Sequence, residues 1–245
     1  MNALSWLALG VVGLLAWWLL VATGNAMLTM QGEGLLGWAS LAMMRPLATA
    51  PYLGVAIAMW VVMMIAMMSP AALATLNLFR RTRPGVGTTP SLAFAGGYLA
   101  LWSGFGVLLA LLQWQLHAND LLHSMLLKAS PRWAGALLLL AGFWQFTPWK
   151  RACLAHCQNP FAFLLNHWRE GLVGAFRMGA HHGRYCLGCC WALMGLMFVG
   201  GVMSATTMAV LSLFILAERV LPPRGWALWL PGGVLLAAGA ALLLA

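Results

Sequence analysis

Residues 181–217 read HHGRYCLGCCWALMGLMFVGGVMSATTMAVLSLFILA, and this stretch decides how the chain folds. Two histidines and three cysteines stand near its start, and no charged residue occurs from residue 185 to residue 217. A bilayer core about 30 Å thick is crossed by about 20 apolar helical residues, so the apolar run is longer than one span. We predict a single tilted helix over residues 187–217, bent near Gly200-Gly201, because two helices of about 15 residues would be short for a bilayer.

The rest of the chain has the composition of a membrane protein. Hydrophobic residues make up 63% of the 245 positions and charged residues 7%, too few to cover the surface of a water-soluble domain. The apolar runs predict an all-α, polytopic bundle of about six transmembrane helices, forming one integral membrane domain over residues 1–245. The predicted spans are 3–22, 52–79, 92–116, 133–149, 187–217 and 226–245.

The basic residues predict an orientation for these spans. The net charge of +9 comes from 13 basic residues against 4 acidic ones, and the basic residues lie between the apolar runs. This placement is typical of the positive-inside rule, so the expected partner is the lipid bilayer and no nucleic-acid partner is predicted. The loops after the second and fourth spans carry the excess of Lys and Arg, which predicts that both are cytoplasmic and that the N terminus is too.

The segment 150–187 is the only polar stretch long enough to build something outside the bilayer. All five cysteines of the chain lie in it or just beyond it, and apolar side chains predict an interfacial helical loop between spans four and five. Cys153 and Cys157 share one helical face. Cys186 and Cys189 form a C-x-x-C pair at the predicted start of the next span, where a helix N terminus favours thiolates. We predict that both pairs meet at one face of the membrane in a cytoplasmic Cys/His loop.

Sulfur and imidazole at a membrane boundary indicate a soft metal ion. Thiolate and thioether ligands suit Cu(I), which we favour, and thiolate with imidazole suits Zn(II), the alternative. The second span adds methionines on adjoining faces of one helix, either as a Cu(I) relay with Met194, Met197 and Met203 or as apolar packing. The predicted metal ligands are Cys153, Cys157, Cys186, Cys189, Cys190, His181, His182, Met63, Met64, Met67 and Met68.

Several motifs of the chain occur together in one known group of proteins. The most specific is CLGCCWALM, from Cys186 to Met194, in which cysteines lead into tryptophan and methionine. Supporting residues are Ala66-Met67-Met68-Ser69-Pro70, Tyr98, Trp102, Phe105, Gln145, Thr147-Pro148, Lys150, Cys153, Cys157, Pro160, Gly183, Gly201, Met203, Met208 and Glu218. Over residues 60–219 the chain resembles a bacterial family of uncharacterised, predicted metal-binding integral membrane proteins. The resemblance implies a metal site; Gln158 and Ser204 depart from the family's usual basic residue and asparagine.

These observations predict a multi-pass protein of the bacterial cytoplasmic (inner) membrane that handles a soft metal in transport, delivery or sensing. Expected partners are another membrane subunit or a metallochaperone. One alternative is a thiol–disulfide oxidoreductase coupled to quinone, and another is an accessory subunit of a larger membrane complex in which the metal is structural. We assign no catalytic residue, and no G-x-x-x-x-G-K-[ST] motif indicates an ATPase in this chain.

Overall fold

The computed structural model describes residues 3–29, 34–43, 49–82, 88–123, 127–221 and 225–244. These residues form helices and one short antiparallel hairpin, which confirms the all-α prediction. The helices are α1 (Ala3–Thr29), α2 (Gly34–Met43), α3 (Thr49–Arg81), α4 (Thr88–Ala118), α5 (Pro131–Phe146), α6 (Pro148–Gln158), α7 (Pro160–Asn166), α8 (Gly171–Gly195), α9 (Met197–Gly200), α10 (Ala205–Val220) and α11 (Gly225–Leu244). The hairpin strands are β1 (Leu122–His123) and β2 (Lys128–Ala129).

Three helical segments are long and apolar enough to cross a membrane, judged by length and composition. They are Thr49–Arg81, Thr88–Ala118 and Gly171–Gly200, and shorter apolar segments occur at Gly13–Asn25 and Trp229–Leu244. The six predicted spans are therefore not all shown by the described residues. The predicted fourth span is interrupted, because α5 ends at Phe146 and Thr147 caps the new helix α6 by accepting a hydrogen bond from the Lys150 N–H.

The predicted single helix over residues 187–217 is wrong. The helix that contains the cysteines begins at Gly171, and the chain reverses direction after α9, where Gly201 adopts a φ of 102° that favours glycine. Ser204 then caps α10 by accepting a hydrogen bond from the Thr207 N–H at 3.3 Å. Hydropathy contains no sign of this reversal, because the run from residue 185 to residue 217 carries no charged residue.

The segment 150–187 is also more regular than an interfacial loop. It consists of most of α6, all of α7 and the first part of α8, joined by short connections. Pro148 and Pro160 begin α6 and α7, in the first turn of a helix where the missing proline N–H costs nothing. The polar residues 177–185 therefore lie within α8 and not before it.

A glycine contact holds α8 against α4. A Cβ atom added to Gly179 would overlap the carbonyl oxygen of Phe94, and one added to Gly97 would overlap that of Phe176, so the two backbones touch. Gly179 and Gly183 are four residues apart, the small-residue spacing that permits close helix packing in membranes. This crossing places Tyr98 of α4 beside the cysteines of α8.

The remaining helices surround this central pair. Helix α3 packs on α4, α5 pairs with α11, and α6 lies along α8. The main hydrophobic core contains methionines of α3, aromatic side chains of α4 and the cysteines of α8 together. The cysteines consequently sit in the core of the bundle.

Candidate metal site

The five cysteines are free thiols that α6 and α8 bring to one place. Cys153 and Cys157 lie one turn apart on α6. The Cys157 thiol lies beside the Cys189 side chain of α8 and interacts with it. Cys153 reaches the backbone of α8, since a Cβ atom added to Gly188 would lie 2.7 Å from its Sγ. The structure thus joins the cysteines of the two helices, as the sequence predicted.

The cysteines of α8 do not lie at the start of a helix. The prediction that a helix N terminus favours their thiolates is therefore wrong. Cys186, Cys189 and Cys190 are buried in the interior of α8, where the backbone N–H groups are used within the helix. The Cys189 and Cys190 thiols donate to the Cys186 carbonyl oxygen at 3.1 and 2.9 Å. The helix N terminus, at Gly171, is several turns away, so its dipole cannot act on these thiols.

The sulfur of Cys186 instead faces two donor groups from other helices. The hydroxyl of Tyr98 lies 3.0 Å from Cys186 Sγ, and the Arg219 guanidinium at the end of α10 donates a hydrogen bond to the same sulfur. A cationic donor forms its strongest hydrogen bonds with an ionised acceptor. This surrounding suits a thiolate at Cys186.

A buried ion pair attaches the end of α10 to α6 beside the cysteines. Lys150 Nζ donates to both carboxylate oxygens of Glu218, at 2.9 and 2.8 Å, and the Lys150 side chain is fully buried. Gln145 donates to the same carboxylate at 3.0 Å. Gln158 donates to the carbonyl oxygens of Glu218 and Leu221, at 2.8 and 3.0 Å. Together these contacts fix the position of Arg219.

Sequence reasoning did not identify Lys150, Glu218 and Arg219 as part of the site. Glu218 entered only through the family resemblance, Lys150 through that resemblance and as an orienting charge, and Arg219 only as an orienting charge. One signal was present: Glu218 is one of four acidic residues in the chain and ends an uncharged apolar run. A charge in that position requires a partner if it is buried.

The thiols of α6 are protonated in the ordinary pH range. The pKa of Cys153 is raised by burial and then by the nearby Cys189 sulfur. The pKa of Cys157 is raised well above its usual value by its hydrogen bond to Cys189 and by burial. A metal ion that binds either sulfur must therefore displace a proton.

The two predicted histidine ligands lie in a separate cluster of aromatic rings. The His182 Nε2 atom is 3.1 Å from Thr75 Oγ1, and its ring packs against Tyr98. The His181 ring stacks on Tyr185, with 5.1 Å between ring centroids, and meets the edge of His167 at 4.6 Å. Among the described residues, no three His, Cys, Asp or Glu side chains are arranged to hold one metal ion. The structure therefore does not combine the histidines with the cysteines in one ligand set.

The predicted methionine ligands lie in the same core as the cysteines. All of them are at most 3% exposed, and they share this core with methionines of α8, α9 and the turn before α10. The core methionines in question are Met63, Met64, Met67, Met68, Met194, Met197 and Met203. This arrangement is compatible with both interpretations of the methionines, a relay of soft ligands and adaptable apolar packing.

Fold and site together define an all-α protein with membrane-length helices and a buried cluster of free thiols beside a methionine-rich core. The copper chaperone family PpoB2 matches residues 57–243, well over half of the chain, and the protein belongs to this family. Its membership connects the protein with copper and agrees with the resemblance to metal-binding proteins. No curated protein and no solved structure matches the chain.

Proposed function

We propose that the protein is an integral membrane copper chaperone that binds Cu(I) through sulfur where α6 meets α8. The observation that carries the proposal is the meeting of Cys157 and Cys189, two buried thiols on different helices whose side chains are close enough to interact. Thiolate sulfur is a soft ligand that suits Cu(I). Family membership supports the same metal.

The graded exposure of the sulfur atoms suggests a direction of transfer. Cys153 is partly exposed, Cys157 is 8% exposed and Cys189 is 2% exposed, so the sulfurs become more buried from α6 to α8. We propose that Cu(I) arrives at Cys153, the one cysteine of the five that is partly exposed, and moves to the Cys157–Cys189 pair. The core methionines then offer further soft ligands towards the other side.

We propose a multi-pass topology in the bacterial inner membrane, with the N terminus and the α6–α7 segment in the cytoplasm. Support comes from the distribution of basic residues. The return of α10 brings Arg219 to the side of Lys150, which increases the excess of positive charge predicted for the cytoplasmic face. A cytoplasmic metallochaperone could dock there as donor.

The experiment is a Cu(I) titration of anaerobically purified protein against a competing chelator. We expect tight Cu(I) binding by the unmodified protein and a clear loss of bound copper in Cys157→Ser and Cys189→Ser. Ser91→Ala, which alters a buried side chain of α4 outside the site, is the matched control and should bind as the unmodified protein does. Unchanged copper content in both cysteine variants would refute the proposed site.

The same cysteine contact favours a second candidate, a thiol–disulfide oxidoreductase. Cys157 and Cys189 are neighbouring free thiols on different helices, and oxidation of two such thiols by a quinone would give a disulfide. The soft methionines and the family favour copper. A metal-free protein that cycles through a dithiothreitol-sensitive Cys157–Cys189 bond and reduces a quinone would establish the oxidoreductase instead.

A further inference from the structure

We propose that His156 and His167 form a separate copper entry site, which receives Cu(I) at the protein surface and passes it to Cys153. The inference rests on the proposed function, because Cys153 is the first sulfur of the proposed transfer. It adds a binding site made of nitrogen ligands outside the cysteine cluster. Neither histidine is among the ligands that the sequence predicted.

The two histidines belong to different helices and line one cavity. His156 lies in α6, His167 caps the end of α7, and the cavity that both line has a volume of about 180 Å³. Asn159 and Asn166 add amide groups to its wall. Both imidazoles are partly exposed, so an ion can reach them from outside the protein.

Each ring is oriented by a hydrogen bond to the backbone of its own helix. Nδ1 of His156 lies 2.8 Å from the carbonyl oxygen of Ala152, and Nδ1 of His167 lies 3.1 Å from that of Phe163. A carbonyl oxygen only accepts, so both Nδ1 atoms carry the proton and donate it. The neutral ring then has its lone pair on Nε2, which is the arrangement found in histidines that bind metals.

A pair of imidazoles suits a site that binds copper only in passing. Imidazole is a ligand for copper, while thiolate is the softer ligand that selects Cu(I). Among the described residues, no third His, Cys, Asp or Glu side chain completes a ligand set with the pair. Positions of the bound ion therefore stay open to the ligands of a donor, and copper should move on from imidazole to sulfur.

His156 connects this pair with the cysteine site. Cys153 precedes it by three residues on α6, a spacing that makes the two side chains neighbours on the helix. Both contact α8, since the His156 ring stacks on Tyr185 with 4.1 Å between centroids and the Cys153 sulfur lies at Gly188. An ion that leaves His156 thus meets the one partly exposed thiol first. The thiol loses its proton to solvent as the Cu–S bond forms and the bond to His156 breaks.

The charges near the histidines do not exclude a cation. Arg169 and Arg184 act electrostatically on the adjacent His181, and both arginines are exposed. Solvent and counter-ions therefore screen them.

The test replaces both imidazoles with a ring that packs but cannot bind metal. Anaerobic protein is mixed with the Cu(I)–bicinchoninate complex, and the loss of its colour gives the rate of copper loading. His156→Phe/His167→Phe should load about tenfold more slowly than the unmodified protein, because copper then has to reach Cys153 without a first ligand. The final copper content of the cysteine site should not change. His117→Phe, whose histidine contacts Tyr52 and not this cavity, is the matched control and should load normally.

X-ray absorption provides a measurement that does not depend on the folding of a variant. The unmodified protein is titrated until it binds no more Cu(I). We expect one ion held by nitrogen ligands in addition to the copper held by sulfur. The double Phe variant should lack this nitrogen-bound ion.

Either of two results would overturn the inference: an unchanged loading rate in the double Phe variant, or a saturated protein in which all copper is bound by sulfur. If the double variant does not fold, X-ray absorption of the unmodified protein decides alone. The proposed function fails separately. Full copper binding in Cys157→Ser and Cys189→Ser, with the nitrogen-bound ion present, would refute the cysteine site and leave the imidazole site standing.

Discussion

The Sγ atom of Cys153 occupies the space that a side chain at position 188 would need. A Cβ atom added to Gly188 would lie 2.7 Å from that sulfur, closer than real Cβ contacts come. Glycine at this position of α8 therefore lets a thiol of α6 rest directly on the helix backbone. The close approach of α6 and α8 also brings Cys157 to Cys189.

Gly188→Ala should push Cys153 and α6 away from α8. We expect less bound Cu(I) and a loss of about 1–3 kcal/mol of stability from overpacking. Chelator competition and thermal unfolding in detergent measure the two effects. The control is Gly104→Ala in α4, where nothing lies within 4 Å of the added Cβ. Equal copper binding in the two variants would contradict the proposed role of this contact.

Replacing one partner of the buried Lys150–Glu218 ion pair should destabilise the protein strongly. Lys150→Met leaves the Glu218 carboxylate buried without its cation, and the expected cost is about 3–5 kcal/mol. Adding Glu218→Gln removes the orphaned charge and should recover much of the loss. Denaturation of the single and double variants, as a double-mutant cycle, provides the measurement. Additive losses would show that the pair is not coupled.

Copper affinity should increase with pH. The pKa of Cys157 is raised by its hydrogen bond to Cys189 and by burial, so the thiol is protonated at neutral pH and releases its proton when copper binds. Affinity then rises about tenfold per pH unit for each proton released, until the pH passes the raised pKa. Cu(I) dissociation constants measured across neutral pH should show this slope. Cys157→Ser should reduce it, and a flat profile in the unmodified protein would contradict the assignment.

Substitution of the four methionines of α3 tests whether these residues transfer copper or only pack the core. Replacing Met63, Met64, Met67 and Met68 with leucine nearly conserves volume, at a cost below about 1.5 kcal/mol for each substitution. We expect a folded protein that binds Cu(I) at the cysteines and fails to pass it to an acceptor. Met178→Leu, in a different hydrophobic cluster, is the control. Transfer at the normal rate would assign the four methionines to packing.

The topology can be tested by labelling single cysteines introduced into a variant whose own cysteines are replaced by serine. Arg169→Cys, in the exposed connection before α8, should react with an impermeant reagent only after the cells are permeabilised. Asn119→Cys, exposed beyond the end of α4, should react in intact cells. The reverse pattern would invert the proposed orientation.

Composition and local spacing determined the class of the protein. Long uncharged runs require helices where water is absent, which is why the all-α architecture was predictable. The concentration of five cysteines between residues 153 and 190 indicated a soft-metal site, and their helical spacing predicted that two pairs would meet. Each of these features depends on residues that are close in sequence.

Only the tertiary structure decided which charges surround the sulfurs. Hydropathy could not show the reversal at Gly201, because no charged residue interrupts the run from residue 185 to residue 217. That reversal brings Arg219 to Cys186, 33 positions away, and Glu218 to Lys150, 68 positions away. A buried charge is stable only with its partner, and the choice of partner follows from how the helices pack, which local sequence does not encode.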